Sequence, residues 1–298
     1  KNSLSPLTDR SIQGLYAPGS TFKMVVAIAA LKFGVIDSSN TVFCKGKMDF
    51  GDRTFHCWKT KGHGKMNIVK AIKESCDVFF YELSKKVGID RIAEVAQDFG
   101  LGEIYPMNVS NQKKGIVPSK KWKKKTLNQN WYGGETLIAA IGQGYVLTTP
   151  MQLAVMISRI ASNGKKITPS ILINKNIEFE IMNKYTKEIK VVKDAMFKVV
   201  NQKKGTANGS VSKKFNFSGK TGTSQVKKIT LEERESESFR NTEIEWKNRD
   251  HALFVGYMPS ENPQYSISVV VEHGGSGAAT AAPIAKEIFE FIYSNNIL

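Results

Sequence analysis

Apolar positions in this chain fall into blocks separated by long polar stretches. The first block, Met24 to Leu31, is rich in Ala and is closed by Phe33-Gly34. Pro18 and Gly19 break any structure before it, so the pattern predicts a helix from near Ser20 to Gly34. Ile68, Ile72, Phe79, Leu83 and Val87 mark helical spacing over 68–100, with Gly88 and Gly100 as stops. Between these blocks, 35–67 has too few apolar residues for a core and reads as a loop. A loop of that length is usually functional or cross-linked. The stretch 103–134 reads as a second polar, basic loop. Apolar residues return from Glu135 to Val146. Thr148-Thr149-Pro150 then opens a helix with Leu153, Ile157 and Ile160 on one face, ended by Asn163-Gly164.

The second half alternates more. Residues 167–193 read as short strands interrupted by charges such as Lys175 and Glu178, followed by a short helix from Ala195 to Val200. Phe215 to Gly219 alternates and runs into Lys220-Thr221-Gly222-Thr223. The stretch 227–250 is almost wholly polar and reads as an exposed or disordered excursion. His251 to Tyr257 and Tyr265 to Glu272 alternate and are β-branched, which predicts strands joined at Asn262-Pro263. Ala278 to Tyr293 predicts a closing amphipathic helix with Ile284, Ile288, Phe291 and Ile292 inward. The class is α/β in the broad sense, α+β in the narrow one. We expect one domain, 1–298, with a helical lobe and an antiparallel sheet lobe.

Composition changes this picture little. The chain has 298 residues, 41% hydrophobic and 23% charged, as in soluble globular proteins. It contains no run of 18 apolar residues and no signal peptide. Lys1 is not a natural start, so a fragment or processed form is expected. The net charge of +16 favours anionic partners. Lysines cluster at Lys113-Lys114 and through Lys120-Lys121-Trp122-Lys123-Lys124-Lys125. Nucleic-acid binding needs a fold motif or interleaved aromatics. Only Trp122 is present, so no nucleic-acid partner is expected. A solvated lysine face is the simpler reading, and weak membrane attraction the second.

Candidate chemistry starts at Ser20. Ser20 and Lys23 stand at i and i+3, on one face of a helix N-terminus. A neutral Lys there can take the hydroxyl proton, and the helix dipole favours the developing anion. Alone, the pair is as well explained by an N-cap and a solvated Lys. Two further stretches change that. Ser75-Cys76-Asp77 follows a polar helical lead, and Lys220-Thr221-Gly222-Thr223 ends an alternating run. S-x-x-K, S-D-N and K-T-G in this order mark active-site serine enzymes of the penicillin-binding and class A β-lactamase type. The middle motif departs, with Asp77 where an amide is usual. An ionised carboxylate cannot donate an N–H to substrate. Asp77 is therefore expected to orient Lys23 or its loop.

The three cysteines, Cys44, Cys57 and Cys76, cannot all pair as disulfides. With His63 they form a set of three thiolates and one imidazole, which suits a closed tetrahedral zinc site. The competing reading is three buried apolar thiols. His56 is the alternative imidazole, and Asp49 and Asp52 are weaker substitutes. A ligand at Cys76 would lock the second motif in place.

At these residues the chain resembles the transpeptidase domain of class B penicillin-binding proteins. Gly19-Ser20-Thr21-Phe22-Lys23, Trp58-Lys59 to Gly62-His63-Gly64, Ser75-Cys76-Asp77, Gly133-Gly134-Glu135-Thr136 to Gly142-Gln143-Gly144, and Lys220-Thr221-Gly222-Thr223 carry the resemblance. Trp58 to Gly64 with Ser75-Cys76-Asp77 looks most like the elongation-specific member. The resemblance implies a five-stranded antiparallel sheet with flanking helices on an all-helical lobe. It implies D,D-transpeptidation of peptidoglycan stem peptides through Ser20, inhibited by β-lactams. Lys23 is the implied base, assisted by a second positive charge at Lys220. Ser75 relays a proton, and the amides of Ser20 and Thr223 form the oxyanion hole. Lys220, Thr221 and Thr223 hold the terminal carboxylate, and Gly222 leaves room for substrate. The resemblance also implies zinc near the Cys/His set, an N-terminal membrane anchor at the periplasmic face of the inner membrane, and RodA-type glycosyltransferase and MreC-type scaffold partners. Two rivals share acylation: a serine β-lactamase, with Glu135 as the water-activating base, and a β-lactam sensor.

Overall fold

The computed structural model describes residues 5–37, 39–172, 178–227 and 244–297. A short helix, α1 (Arg10–Gln13), leads to a 3-10 turn at Gly19–Phe22 and then to α2 (Lys23–Lys32). From Met24 to Ala30 every residue of α2 is fully buried. A helix apolar all round belongs in a core, and α2 packs against α4 (Asp77–Val87), α5 (Ile89–Asp98) and α9 (Thr186–Asn201). Cutting one of its large side chains to Ala would cost about 2–5 kcal/mol. With α3 (Ile68–Lys73) and α7 (Gly133–Ala140), these helices make the helical lobe.

The stretch expected as one long loop carries two small antiparallel sheets. One pairs β1 (Val42–Cys44) with β4 (Gly64–Met66), and the other pairs β2 (Lys47–Phe50) with β3 (Arg53–His56). Strands of three or four residues are too short to show a period. The basic stretch expected as a loop contains α6 (Lys120–Leu127), capped by Ser119, which accepts from the Trp122 amide. Residues 186–193, expected as strand, belong to α9, whose sixteen residues extend the short helix expected at Ala195–Val200.

The main sheet has the order β5 (Ser218–Ser224), β6 (His251–Met258), β7 (Tyr265–Val271), all antiparallel. These are three strands among the described residues, where the resemblance implied five. Consecutive burial from Ala252 to Met258 shows that both faces of β6 are covered. Helix α9 packs on β5, α8 (Pro150–Ala161) on β6 and β7, and α10 (Ala282–Ser294) on β6 and β7. One contiguous core, from Phe22 and Met24 to Phe254 and Phe289, runs across both lobes. The predicted inward face of α10 is corrected. Ile284, Ile288 and Phe291 are exposed and Ile292 packs partly buried on the core as expected, while Ala282, Ala285 and Phe289 are buried. Small Ala side chains let the helix sit close on the sheet, which rotates the larger residues outward. Most of the polar excursion at 227–250 lies outside the described residues. Among the described residues, no helix is long and apolar enough to cross a membrane.

Candidate active site

The site forms where four backbone segments meet. Gly19 takes φ +54, which a residue with a side chain adopts only under strain. Its N–H donates to the Gly142 carbonyl at 2.9 Å. A Cβ on Gly19 would overlap the Thr223 carbonyl, and one on Gly142 would overlap the Gly19 carbonyl. The turn carrying Ser20 is thus wedged between the α7 exit and the end of β5. Gln143 closes the contact, its Nε2 donating to the Thr223 carbonyl at 3.1 Å. Residue type alone did not single out Gly142 or Gln143; only the resemblance touched them. Gly222 has a packing role here. A Cβ there would stand 2.9 Å from Thr21 Cγ2 and 3.0 Å from the Pro18 carbonyl, so it would push β5 off the Ser20 turn.

Ser20 is half-buried, and Lys23, whose amide donates to the Ser20 carbonyl, is fully buried. Lys23 Nζ donates to the Ser75 carbonyl at 2.9 Å, to Ser75 Oγ at 3.2 Å and to Asp77 Oδ1 at 2.7 Å. Lys220, also fully buried, donates to Ser75 Oγ at 3.0 Å and to the Thr221 carbonyl at 3.0 Å. The Ser75 hydroxyl therefore sits between two amines. Ser75 joins α3 to α4 with φ +56. That break ends one helix and starts the next, so Asp77 falls in the first turn of α4, where the dipole favours a carboxylate. Asp77 Oδ2 accepts from the Trp58 amide at 2.8 Å. Asp77 thus touches both Lys23, one of the two orienting contacts expected of it, and the 57–58 segment, a contact the sequence did not point to.

Lys220 is held well below its ordinary range, by burial first and by the Lys23 charge second. Lys23 has the carboxylate partner. Burial pushes the Asp77 carboxyl up, and the Lys23 charge opposes this. Thr221 is also placed differently: its Oγ1 lies 2.7 Å from Thr206 Oγ1, and it is buried. Thr206 was missed because no motif marks it. Thr223 is the exposed side chain of the strand end. Glu135 is turned away from hydrolytic work. Its carboxylate accepts from Lys123 Nζ at 2.5 Å and from the Tyr132 amide at 2.8 Å.

Behind Ser75 and Asp77 lies the second polar cluster. The ligand atoms of Cys44, Cys57, His63 and Cys76 all lie within 4.8 Å of one another. His63 Nδ1 is 3.6 Å from Cys44 Sγ and 3.5 Å from Cys57 Sγ. Tetrahedral zinc, with Zn–S of about 2.3 Å and Zn–N of about 2.0–2.1 Å, would separate S and N by about 3.6 Å. The donor set and spacing fit zinc. Hydrogen bonds from Cys57 and Cys76 hold the Cys44 thiol down to about 2, while bonds to Cys44 and Cys57, with burial, push Cys76 up. Three buried thiolates cannot coexist without a compensating cation. The cluster does not include His56, Asp49 or Asp52, and Asp49 accepts from Thr54 Oγ1 at 2.6 Å. The Asp77 amide donates to Cys57 Sγ at 3.4 Å, which ties the two clusters together.

Comparison with known proteins places this geometry. The chain is 32% identical over 303 residues to the peptidoglycan D,D-transpeptidase MrdA of Salmonella typhimurium, covering 97% of this chain and 48% of that protein. It is 31% identical to MrdA of Escherichia coli K12, covering 97% and 47%. The chain spans about half the length of the curated relatives it matches. Among solved structures it is similar to penicillin-binding protein 2 from Helicobacter pylori in complex with MreC, with TM-score 0.91, 33% identity and coverage of 100% and 53%. It is also similar to Pseudomonas aeruginosa PBP2 in complex with WCK 5153, with TM-score 0.82, 35% identity and coverage of 96% and 62%. The family profile described as the penicillin binding protein transpeptidase domain matches residues 1–290, and the chain belongs to that family.

Proposed function

We propose that the chain is the catalytic part of a peptidoglycan D,D-transpeptidase of the elongation type. Ser20 attacks the penultimate D-Ala carbonyl of a stem peptide ending in D-Ala-D-Ala. The amide bond to the last D-Ala breaks, that residue leaves, and an acyl-enzyme remains. The amine of a neighbouring stem peptide attacks the ester, forms the cross-link and frees Ser20. Lys23 accepts the Ser20 proton, which it can do after passing its own proton to Asp77. Ser75, between Lys23 and Lys220, passes a proton to the leaving amine. The Ser20 and Thr223 amides stabilise the oxyanion, each worth about 3 kcal/mol. Thr223, being exposed, meets the terminal carboxylate, while Thr221 braces β5 against Thr206.

One observation carries this reading: a buried chain of hydrogen bonds, Asp77–Lys23–Ser75–Lys220, at the foot of the Ser20 turn. The experiment is mass spectrometry after penicillin treatment. One adduct on Ser20, absent in Ser20→Ala, supports the reading. Rapid hydrolysis of penicillin, or an adduct on Ser75, overturns it.

We further propose that Cys44, Cys57, His63 and Cys76 hold one structural zinc. Bound there, zinc cross-links a region with few apolar residues of its own. Metal analysis should find about one zinc per chain. Metal-free protein of full thermal stability would refute the site. The similarity to a PBP2–MreC complex, and to a complex described as a peptidoglycan synthase coordinating polymerization and crosslinking, extends the reading. An MreC-type scaffold and a RodA-type glycosyltransferase are the proposed partners, and the periplasmic face of the bacterial inner membrane, reached through an N-terminal anchor, is the proposed location. Failure of the full-length protein to co-purify with either partner type, or its recovery outside the membrane fraction, would remove this extension.

A further inference from the structure

Helix α6 is the most basic element of the chain, and the function proposed above leaves it without a task. Its N-terminal lysine is partly spoken for: Lys120 lies 3.8 Å from Asp90. Lys121, Lys124 and Lys125 share one face, at i, i+3 and i+4, and all three are exposed. Among the described residues, no acidic side chain pairs with any of them. Like charges at this spacing oppose helix formation, so the helix must be held by something else. The inner face supplies it. Lys123 is fully buried, salt-bridged to Glu135, and stands 4.9 Å from the Tyr132 ring and 5.7 Å from the Tyr145 ring. Trp122 packs on Tyr145 with ring centroids 5.3 Å apart. The protein thus anchors a row of three unneutralised cations in a fixed place.

The inner face of α6 is linked to the catalytic cleft. Trp122 packs on Tyr145, which lies two residues along the chain from Gln143, and the Gln143 side chain donates to the Thr223 carbonyl at the strand end. We propose that the Lys121–Lys124–Lys125 face binds the carboxylates of a peptidoglycan strand and so holds polymeric substrate beside the cleft. The proposal rests on the transpeptidase reading, since it names the surface that receives that reaction's polymer. Charge complementarity selects this occupant: stem peptides present several carboxylates along one chain, and α6 presents a row of ammonium groups. A lipid surface fits less well. A membrane-lying helix needs a broad free apolar face, whereas α6 has two apolar residues, of which Trp122 packs on Tyr145 and only Leu127 is exposed. Nucleic acid fits less well too, because the lysine face itself carries no aromatic ring, and Tyr132, exposed beside Lys123, offers one ring where stacking of successive bases needs several.

The test is co-sedimentation or titration of the purified chain with soluble, uncross-linked glycan strands bearing intact stem peptides. Binding should weaken steeply with salt. Lys121→Gln/Lys124→Gln/Lys125→Gln should weaken it at least about tenfold and flatten the salt dependence. The triple Lys→Arg variant should bind like wild type, because the charge is kept. Penicillin acylation of Ser20 should stay within about twofold in both variants, since neither alters the cleft. Unchanged binding by the Gln variant overturns the proposal. So does equal binding of strands whose carboxyl groups have been amidated. Vesicles of phosphatidylglycerol and phosphatidylethanolamine serve as the competing probe: a greater loss of binding to vesicles than to strands in the Gln variant would assign the face to lipid and overturn the proposal. Failure of wild-type protein to acylate would instead sink the transpeptidase reading, and so the two failures are distinguishable.

Discussion

Two polar clusters sit back to back in this protein, and they are built on opposite principles. In the catalytic cluster each charge has its partner within the chain: Lys23 has Asp77, and Lys220 has Ser75 Oγ and the Thr221 carbonyl. In the Cys/His cluster the donors converge on one another, and His63 Nε2 is buried with no hydrogen-bond partner. The first is complete as a set of amino acids. The second has the make-up of a ligand set, as the zinc proposal requires. Cys76 stands between Ser75 and Asp77, so the two meet in three consecutive residues. The catalytic cluster should therefore govern rate with little effect on folding, and the Cys/His cluster should govern folding and drag rate with it.

The largest effect expected is on rate. Lys23→Arg keeps the charge and the Asp77 partner but cannot supply a neutral base near pH 7. Penicillin acylation should fall by about three orders of magnitude or more, with thermal stability little changed. Acylation at near wild-type rate would remove Lys23 as the base. Next comes metal removal. Stripping with a strong chelator, or His63→Ala, should lower the melting temperature sharply and weaken acylation with it, because binding energy at a structural metal is folding energy. Lost acylation in protein that keeps its full melting temperature would break the contrast.

Gly142→Ala tests the wedge rather than either cluster. The residue has φ +71, and its added Cβ would overlap the Gly19 carbonyl. A cost of about 2–4 kcal/mol is expected, with acylation reduced about tenfold or more as the Ser20 turn shifts. Wild-type stability in this variant would show that the turn has room to move.

The smallest effect is a pH dependence in a third, more solvated cluster. His251 accepts from the His273 amide at 2.9 Å and meets the His273 and Tyr16 rings edge to face, with centroids 4.7 Å and 5.4 Å away. Glu272 accepts from Tyr16 and Arg10 beside it. Burial first, and His273 second, lower the His251 pKa below its ordinary value. The unfolded chain therefore binds the proton more readily. Stability should be full above about pH 6.5 and decline as pH falls from there toward the lowered folded value. His251→Gln should flatten that decline, by about a few °C between pH 7 and 5. An unchanged slope would mean that His251 does not contribute to it.

Much of the site was legible because motif residues are chemically distinctive and lie at boundaries. Ser20 and Lys23 stand at a helix start, and Lys220 to Thr223 at a strand end. The core helix α2 and strands β6 and β7 were legible because each is long and strongly patterned. What was hidden had local physical reasons. Helix α6 has no apolar period and is held by one buried lysine and a serine cap. The first turns of α9 carry Lys187, Glu188 and Lys190, which mask the spacing of Ile189, Val192 and Met196. The strands β1 to β4 are too short for any period. Thr206 finds Thr221 only through tertiary structure, as no sequence spacing could show.

The left-handed backbone at Ser75 has a consequence for which side chains can stand there. Threonine carries the same hydroxyl and could in principle bridge the same two amines. Its branched Cβ, however, is a poor tenant of φ near +56. The chemistry asks for an alcohol, and the chain path decides which of the two aliphatic alcohols can supply it.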